Sequence, residues 1–236
     1  MAVVYLIPSV LQEEGYAAIH PYTVTAIRDC HSFFTENERT TRRYFKQLFK
    51  QQQAGDIVID DYEWVNMSDA AAAATFRRYL QEGKNIGLVS EAGCPGVADP
   101  GQAFVAIAQE MGVVVKPLVG PNSILLALMA SGMNGQQFMF HGYLPIDGAQ
   151  RARTIRELEA DSAKKNCTQL FIETPYRNNQ LLETLLQQCR PTTKLCIAVD
   201  ITGPQESIRT MPVSQWKAAP PDLHKRPVLF LLYAGD

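Results

Sequence analysis

Short apolar runs alternate with helical patterns along the first half of the chain. Val3–Ile7 predicts a strand, followed by a helix through Thr23–Asp29. His31–Thr35 predicts a second strand, Arg39–Gln53 a helix and Asp56–Asp60 a third strand. The stretch "SDAAAAATFRRYLQEG" predicts a helix with Ser68 as its N-cap and Gly83 as its stop. "NIGLVS" then reads as a fully buried strand, "ADPGQAFVAIAQEMG" as a helix and "VVVKPLV" as a strand. Strands that alternate with helices imply parallel pairing through crossover helices, hence an α/β sheet.

"VGPNSILLALMASGM" joins the halves: Gly120-Pro121 is a turn, and Asn122 or Ser123 caps the apolar helix behind it. The second half gives strand Gln137–His141, a helix near Ala149–Ala160, strand Thr168–Glu173 and helix Asn178–Cys189. Strands follow at Lys194–Asp200, near Glu206–Thr210 and at Pro227–Tyr233. With less helix between these last strands, antiparallel pairing is expected there. The predicted architecture is a two-domain α/β protein, residues 1–118 and 119–236, with a mostly parallel sheet in the first domain and a mixed sheet in the second.

Composition narrows the function classes. The 236 residues are 46% hydrophobic and 19% charged, enough for a real core. A net charge of −2 excludes a global basic field, which leaves only local basic faces for a polyanion. Cys30, Cys94, Cys167, Cys189 and Cys196 are odd in number and form no C-x-x-C pair. That fits a reducing compartment and not a disulfide scaffold. His20, His31, His141 and His224 stand apart from one another and from the cysteines, so no metal site is expected. The apolar N-terminus lacks a basic leader and a small-residue cleavage site, and the runs "ILLALMA" and "VLFLLYA" are too short for a bilayer. Together these predict a soluble, cytoplasmic protein.

The chemistry concentrates in "IGLVSEAGCPGVADPG", Ile86 to Gly101. A loop at the carboxyl end of a buried strand is where open α/β sheets hold ligands, and glycine lets backbone approach a ligand closely. "GVADPGQA" has Walker-loop glycine spacing, but Gln102 and Ala103 replace the required Lys and Ser/Thr. Pro95 and Pro100 also remove amides that an anion would use. No G-x-G-x-x-G follows the first strand, where "IPSVLQEEG" stands instead. A sulfonium cation, which favours carbonyl oxygens and acids over amides, suits the composition better. The alternative is a pair of turns leading into a helix, with Asp99 as N-cap and Pro100 at its first position.

"VSEAGCPGVADPG" resembles the "SDAGTPGISDPG" signature of the tetrapyrrole methylase superfamily, in its ribosomal RNA small subunit methyltransferase I branch. In order, "VVVKPLVGPNSILLALMASGM", "FMFHGYLP" and "FIETPYR" resemble that branch's further motifs, and "TENERTTRRY" echoes its "EDTR" element. The resemblance implies a homodimeric methyltransferase that holds S-adenosylmethionine between its domains, largely through backbone. By position, contacts would come from Glu91, Ala92, Gly93, Cys94 and Pro95, from Ser123 and Ile124, and from Ile172, Glu173 and Thr174, with further contributions at Val199 and Pro227. The implied acceptor is an rRNA ribose 2′-hydroxyl, which would place rRNA or the small ribosomal subunit among the partners.

Departures bear on the acceptor. The family's first-strand loop is replaced by "PSVLQEEG", Gly203 stands in "VDITGPQES" where the branch has lysine, and the chain reaches only Asp236, short of an extension in longer members. A small-molecule or tetrapyrrole acceptor, or a non-catalytic protein that binds the cofactor, therefore stays open beside the rRNA reading. Candidate bases are Glu91, Asp99, Glu173 and His141, with Glu91 and Glu173 taken as catalytic. Cys94 replaces a family threonine and reads as a small loop filler. The basic clusters Arg39–Lys50 and Arg151–Lys165 read as solvated helix faces, and as an RNA track if they converge on one side of the cleft.

Overall fold

Strands β1 (Val3–Ile7), β2 (Ser32–Thr35) and β4 (Ile86–Val89) carry apolar side chains on both faces, as the central strands of a parallel sheet require. They are flanked by β3 (Glu63–Asn66) and β5 (Val114–Pro117), whose side chains are only partly covered. The computed structural model describes residues 2–55 and 57–235. It divides into two compact units, Met1–Asn122 and Ser123–Asp236.

In the first unit the strand order is β3-β2-β4-β1-β5, and every pairing is parallel. Side chains alternate across it. Tyr5, Ile7, Phe33 and Val89 form a core with α1 (Tyr22–Asp29) and α2 (Glu38–Gln51). Val4, Phe34, Ile86 and Leu88 form another with α3 (Ala72–Gln81) and α4 (Gly101–Glu110). The sheet is thus doubly wound. The chain leaves β1 and β2 toward one face and β4, which lies between them, toward the other. The loop after β4 therefore emerges where neighbouring connections part, the position at which such sheets bind ligands.

Two local expectations are corrected. Residues 57 and 58 are not strand, Ile59–Asp61 is a 3₁₀ turn, and the third strand is Glu63–Asn66; Asp56 lies outside the described residues. Ile59 is buried against α2 as a turn residue, so its apolar character reflects core contact and not sheet pairing. Ser68 does not cap α3, which begins after Ala71; its hydroxyl donates to Asn66 Oδ1 at 2.7 Å.

The second unit opens with α5 (Ser123–Ser131) and continues through β6 (Phe138–Tyr143), α6 (Gly148–Lys165), β7 (Thr168–Ile172) and α7 (Asn178–Gln188). Strands β8 (Lys194–Val199) and β9 (Ser207–Pro212), the short helix α8 (Val213–Ala218) and β10 (Val228–Tyr233) complete it. Strand order is β6-β7-β10-β8-β9, with β6 and β7 parallel and the rest antiparallel. This is the mixed sheet the spacing predicts. Phe171, Phe230 and Ile197 pack with leucines of α6 and α7 and with Trp216 on one face. On the other, Thr210 donates to the Ser131 carbonyl of α5 at 2.7 Å.

Candidate functional site

The glycine-rich loop is held open by the chain segment after β1. Ser9 N–H donates to the Gly93 carbonyl at 2.8 Å, and Gly93 N–H returns to the Ser9 carbonyl at 3.1 Å. Ser9 Oγ donates to the Ser90 carbonyl at 2.7 Å, and Ser90 Oγ reaches the Gly93 carbonyl at 3.2 Å. The Tyr44 hydroxyl of α2 donates to the Pro8 carbonyl at 2.7 Å and fixes the base of that segment. Gly93 has φ +75°, and a Cβ there would sit 3.3 Å from both Leu11 Cδ2 and the Pro121 carbonyl. A side chain at that position would press the two loops apart.

Three carboxylates gather around this frame. Glu36, just after β2, accepts from Glu91 N–H at 3.0 Å, and Glu91 Oε1 accepts from Thr40 Oγ1 at 2.7 Å. Asp99 Oδ1 accepts from Gly96 N–H at 2.6 Å and Gly101 N–H at 2.9 Å, while its buried Oδ2 has no partner. Burial raises the Glu36 carboxyl pKa; the Glu91 amide opposes this, and the Asp99 and Glu91 charges add to it. Burial likewise raises Asp99 against its two backbone donors. Like charges in a partly desolvated pocket attract a cation.

The Ser90, Gly93 and Cys94 carbonyls all accept bonds from within the chain. The expected carbonyl cup is therefore largely a frame, and the acids supply its negative potential. Asp99 is not the N-cap expected of it: α4 starts at Gly101 with Pro100 in the cap position, and Asp99 Oδ1 instead ties the preceding turn through Gly96 and Gly101 N–H. The Cys94 thiol lies 3.5 Å from the Pro121 carbonyl, and burial pushes its pKa up against an opposing hydrogen bond with Asn122. It is a filler, not a thiolate nucleophile.

In the second unit Ile172, Glu173, Thr174, Val199 and Pro227 lie at one end of the three central strands. The start of β10 lies between the ends of β7 and β8: Leu229 pairs with Ile172, Val228 with Val199, and Asp200 N–H donates to the Pro227 carbonyl at 3.1 Å. Glu173 is buried; its Oε1 accepts from Thr174 N–H at 2.7 Å and Arg177 Nη2 at 2.7 Å. Its buried Oε2 has no partner. Ser123 and Ile124 open α5. His141 is engaged by Gln169 Oε1 at 2.6 Å.

Sequence reasoning missed Ser9, Glu36, Thr40 and Tyr44 as the groups that shape the loop. Only the "EDTR" echo, which spans Glu36 and Thr40, pointed at them. Among the described residues no cluster of His, Cys, Asp or Glu could hold a metal ion, and no helix is long and apolar enough to cross a membrane.

A doubly wound parallel sheet with an acidic glycine loop at its switch point, followed by a mixed sheet, defines a two-unit α/β ligand-binding protein. The chain belongs to the tetrapyrrole (corrin/porphyrin) methylases, whose family model matches residues 21–216. It is similar to ribosomal RNA small subunit methyltransferase I of Vibrio cholerae, 34% identical over 159 residues that cover 66% of this chain and 54% of that protein. The protein of the same name from Escherichia coli O157:H7 is 34% identical over 61% of this chain and 49% of its own length. The chain thus spans about half the length of the curated relatives it matches. Among solved structures it resembles the methyltransferase CobJ with a TM-score of 0.61 at 17% identity, covering 98% of this chain and 92% of the other. It also resembles uroporphyrin-III C-methyltransferase from Thermus thermophilus complexed with S-adenyl homocysteine, with a TM-score of 0.56 at 14% identity over 98% and 96% of the two chains.

Proposed function

We propose that the chain is an S-adenosylmethionine-dependent methyltransferase, cytoplasmic and homodimeric, with ribosomal RNA as its acceptor and a ribose 2′-hydroxyl as the methylated group. The observation that carries the reading is the glycine loop after β4, framed by Ser9 and surrounded by Glu36, Glu91 and Asp99. That donor set fits a sulfonium and fits poorly with a phosphate. Family membership supports the chemistry, and the names of the curated relatives support the acceptor.

When bound, S-adenosylmethionine supplies an electrophilic methyl group. Glu91, Ala92, Gly93, Cys94 and Pro95 would hold it in the first unit. In the second, Ser123 and Ile124 and the strand-end group Ile172, Glu173, Thr174, Val199 and Pro227 are the candidates. The free Glu173 Oε2 suits an amine or ribose hydroxyl donor. Methyl transfer is an in-line displacement, so the protein's main task is to align the nucleophile and exclude water. A ribose hydroxyl must also lose its proton. Glu91 is exposed, held by Thr40 and beside the loop, and is our assignment for that step.

Two measurements test this. Calorimetry is expected to show S-adenosylmethionine binding, and no heat at high micromolar concentration would refute it. Incubation with labelled cofactor and small ribosomal subunits lacking the modification is expected to label the rRNA. Binding without transfer would point instead to a cofactor-binding protein with a lost acceptor site, a reading motivated by the divergent "PSVLQEEG" segment.

A further inference from the structure

The helix α2 carries cations at Arg39, Arg43, Lys46 and Lys50, spaced four, three and four residues apart. That spacing sets them on one stripe, about 16 Å long at 1.5 Å per residue. All four side chains are exposed. Arg43, Lys46 and Lys50 form a wall of a cleft of about 740 Å³ whose other walls include the Ser9–Glu13 segment and Ser90–Ala92 of the glycine loop. Arg39 and Arg43 continue the stripe into an adjoining hollow of about 550 Å³.

Among the described residues, the cations of this stripe are largely uncommitted. Arg43 pairs with Glu13, at 3.8 Å and with both side chains mostly exposed, a pair of little energetic weight. Arg42, off the stripe, is instead a structural residue: it binds Glu38 and Asp60 and lies over the Trp64 ring. The second basic cluster, on α6, is more engaged by partners within the chain, two of them acids. Arg151 is buried against the Ile146 carbonyl, Arg153 pairs with Glu157, Arg156 with Gln188 and Lys165 with Asp161. The two clusters are therefore not equivalent, although the sequence presents them alike.

The cleft also exposes an aromatic face. The half-buried Tyr16 stacks on the buried Tyr44 at 6.0 Å between ring centroids, and both line the cleft. Cations in file beside an accessible ring are the elements that hold a single strand of nucleic acid, by phosphate contact and base stacking. Glu91, at the loop end of the cleft, is the group assigned to take the ribose hydroxyl proton.

We propose that the α2 stripe Arg39–Arg43–Lys46–Lys50 is a docking track for the phosphate backbone of a single-stranded RNA segment, which it leads toward Glu91. This rests on the methyltransferase reading and adds the surface that selects RNA over a small acceptor.

The test is fluorescence anisotropy of the full chain with a single-stranded fragment of small-subunit rRNA between 50 and 200 mM salt. Wild type, a Lys46→Glu/Lys50→Glu variant and an Arg153→Glu control are compared, each with S-adenosylmethionine calorimetry as a check on the fold. The double variant is expected to lose at least tenfold in RNA affinity. Its slope of log affinity against log salt is expected to fall by about 1.4, or 0.7 for each lost phosphate contact. Cofactor binding and the Arg153→Glu control should match wild type. RNA binding by wild type with an unchanged affinity and slope in the double variant would overturn the track, as would wild type that fails to bind RNA. Wild type that binds RNA through the stripe but neither binds the cofactor nor transfers methyl overturns the methyltransferase reading and leaves the track standing.

Discussion

At the scale of single residues, the site is shaped by charges kept under constraint. Glu36 is raised by burial, which means its ionised form is less favourable in the folded protein than in the unfolded chain. The sign of the stability effect follows. Below the ordinary glutamate value of 4.5 both states are protonated and Glu36 costs nothing. As pH rises through and above that value the folded state bears the penalty. Glu36→Gln keeps an oxygen to accept from Glu91 N–H and removes the charge. Because the group is partly solvated, we expect a gain of only about 0.5 kcal/mol at pH 7, or one to two degrees in thermal midpoint, and none near pH 3.5. The same variant should weaken S-adenosylmethionine binding, since the cation loses a carboxylate; unchanged affinity would remove Glu36 from the cofactor's field. Glu173 is a fully buried carboxylate held by Arg177. Arg177→Ala leaves that charge unpaired and should cost about 3 kcal/mol by denaturant unfolding. Adding Glu173→Gln should restore most of the loss, and a double variant no more stable than Arg177→Ala would show that the pair is not the source.

At the scale of elements, the legible and illegible parts of the fold separate by mechanism. The buried strands β1, β2 and β4 show in the sequence because both faces are apolar, and the antiparallel character of the second sheet shows in its short connections. The third strand is misplaced because Ile57 and Ile59 are apolar for a different reason, packing against α2 from a turn, whereas Trp64 and Val65 pair with Phe33 and Phe34 at a sheet edge. The glycine loop is legible because its signature is contiguous. Its frame is not, because Ser9, Glu36 and Ser90 come together only through the strand order β2-β4-β1, which no local pattern encodes. Gly87 illustrates the same limit. In sequence it weakens β4, yet in the sheet a Cβ there would lie 2.5 Å from Phe33 Cδ1 and 2.7 Å from Ile7 Cδ1. Its missing side chain is the space those two residues fill. Gly87→Ala should therefore destabilise the protein by about 1–3 kcal/mol through overpacking. A neutral result in urea unfolding would mean that the Phe33 ring can move aside.

At the scale of the whole molecule, a net charge of −2 argues that any polyanion must be held by a patch against the overall field, not by the field itself. The cofactor and the RNA should then respond to salt in different ways. The loop after β4 is framed mainly by backbone bonds within the first unit, and its ligand brings a single net positive charge into short-range contact with partly buried acids, where salt screens weakly. The α2 stripe offers three or four exposed cations, each of which displaces counterions when it meets a phosphate. Raising salt from 50 to 200 mM should lower RNA affinity about 20- to 50-fold, from a slope of 0.7 for each contact. The dissociation constant for S-adenosylmethionine should shift by less than about twofold over the same range. Parallel titrations by anisotropy and calorimetry measure both on one preparation. Equal salt sensitivity would mean that the two ligands share one charged surface, and the division of labour between acidic loop and basic helix would have to be abandoned.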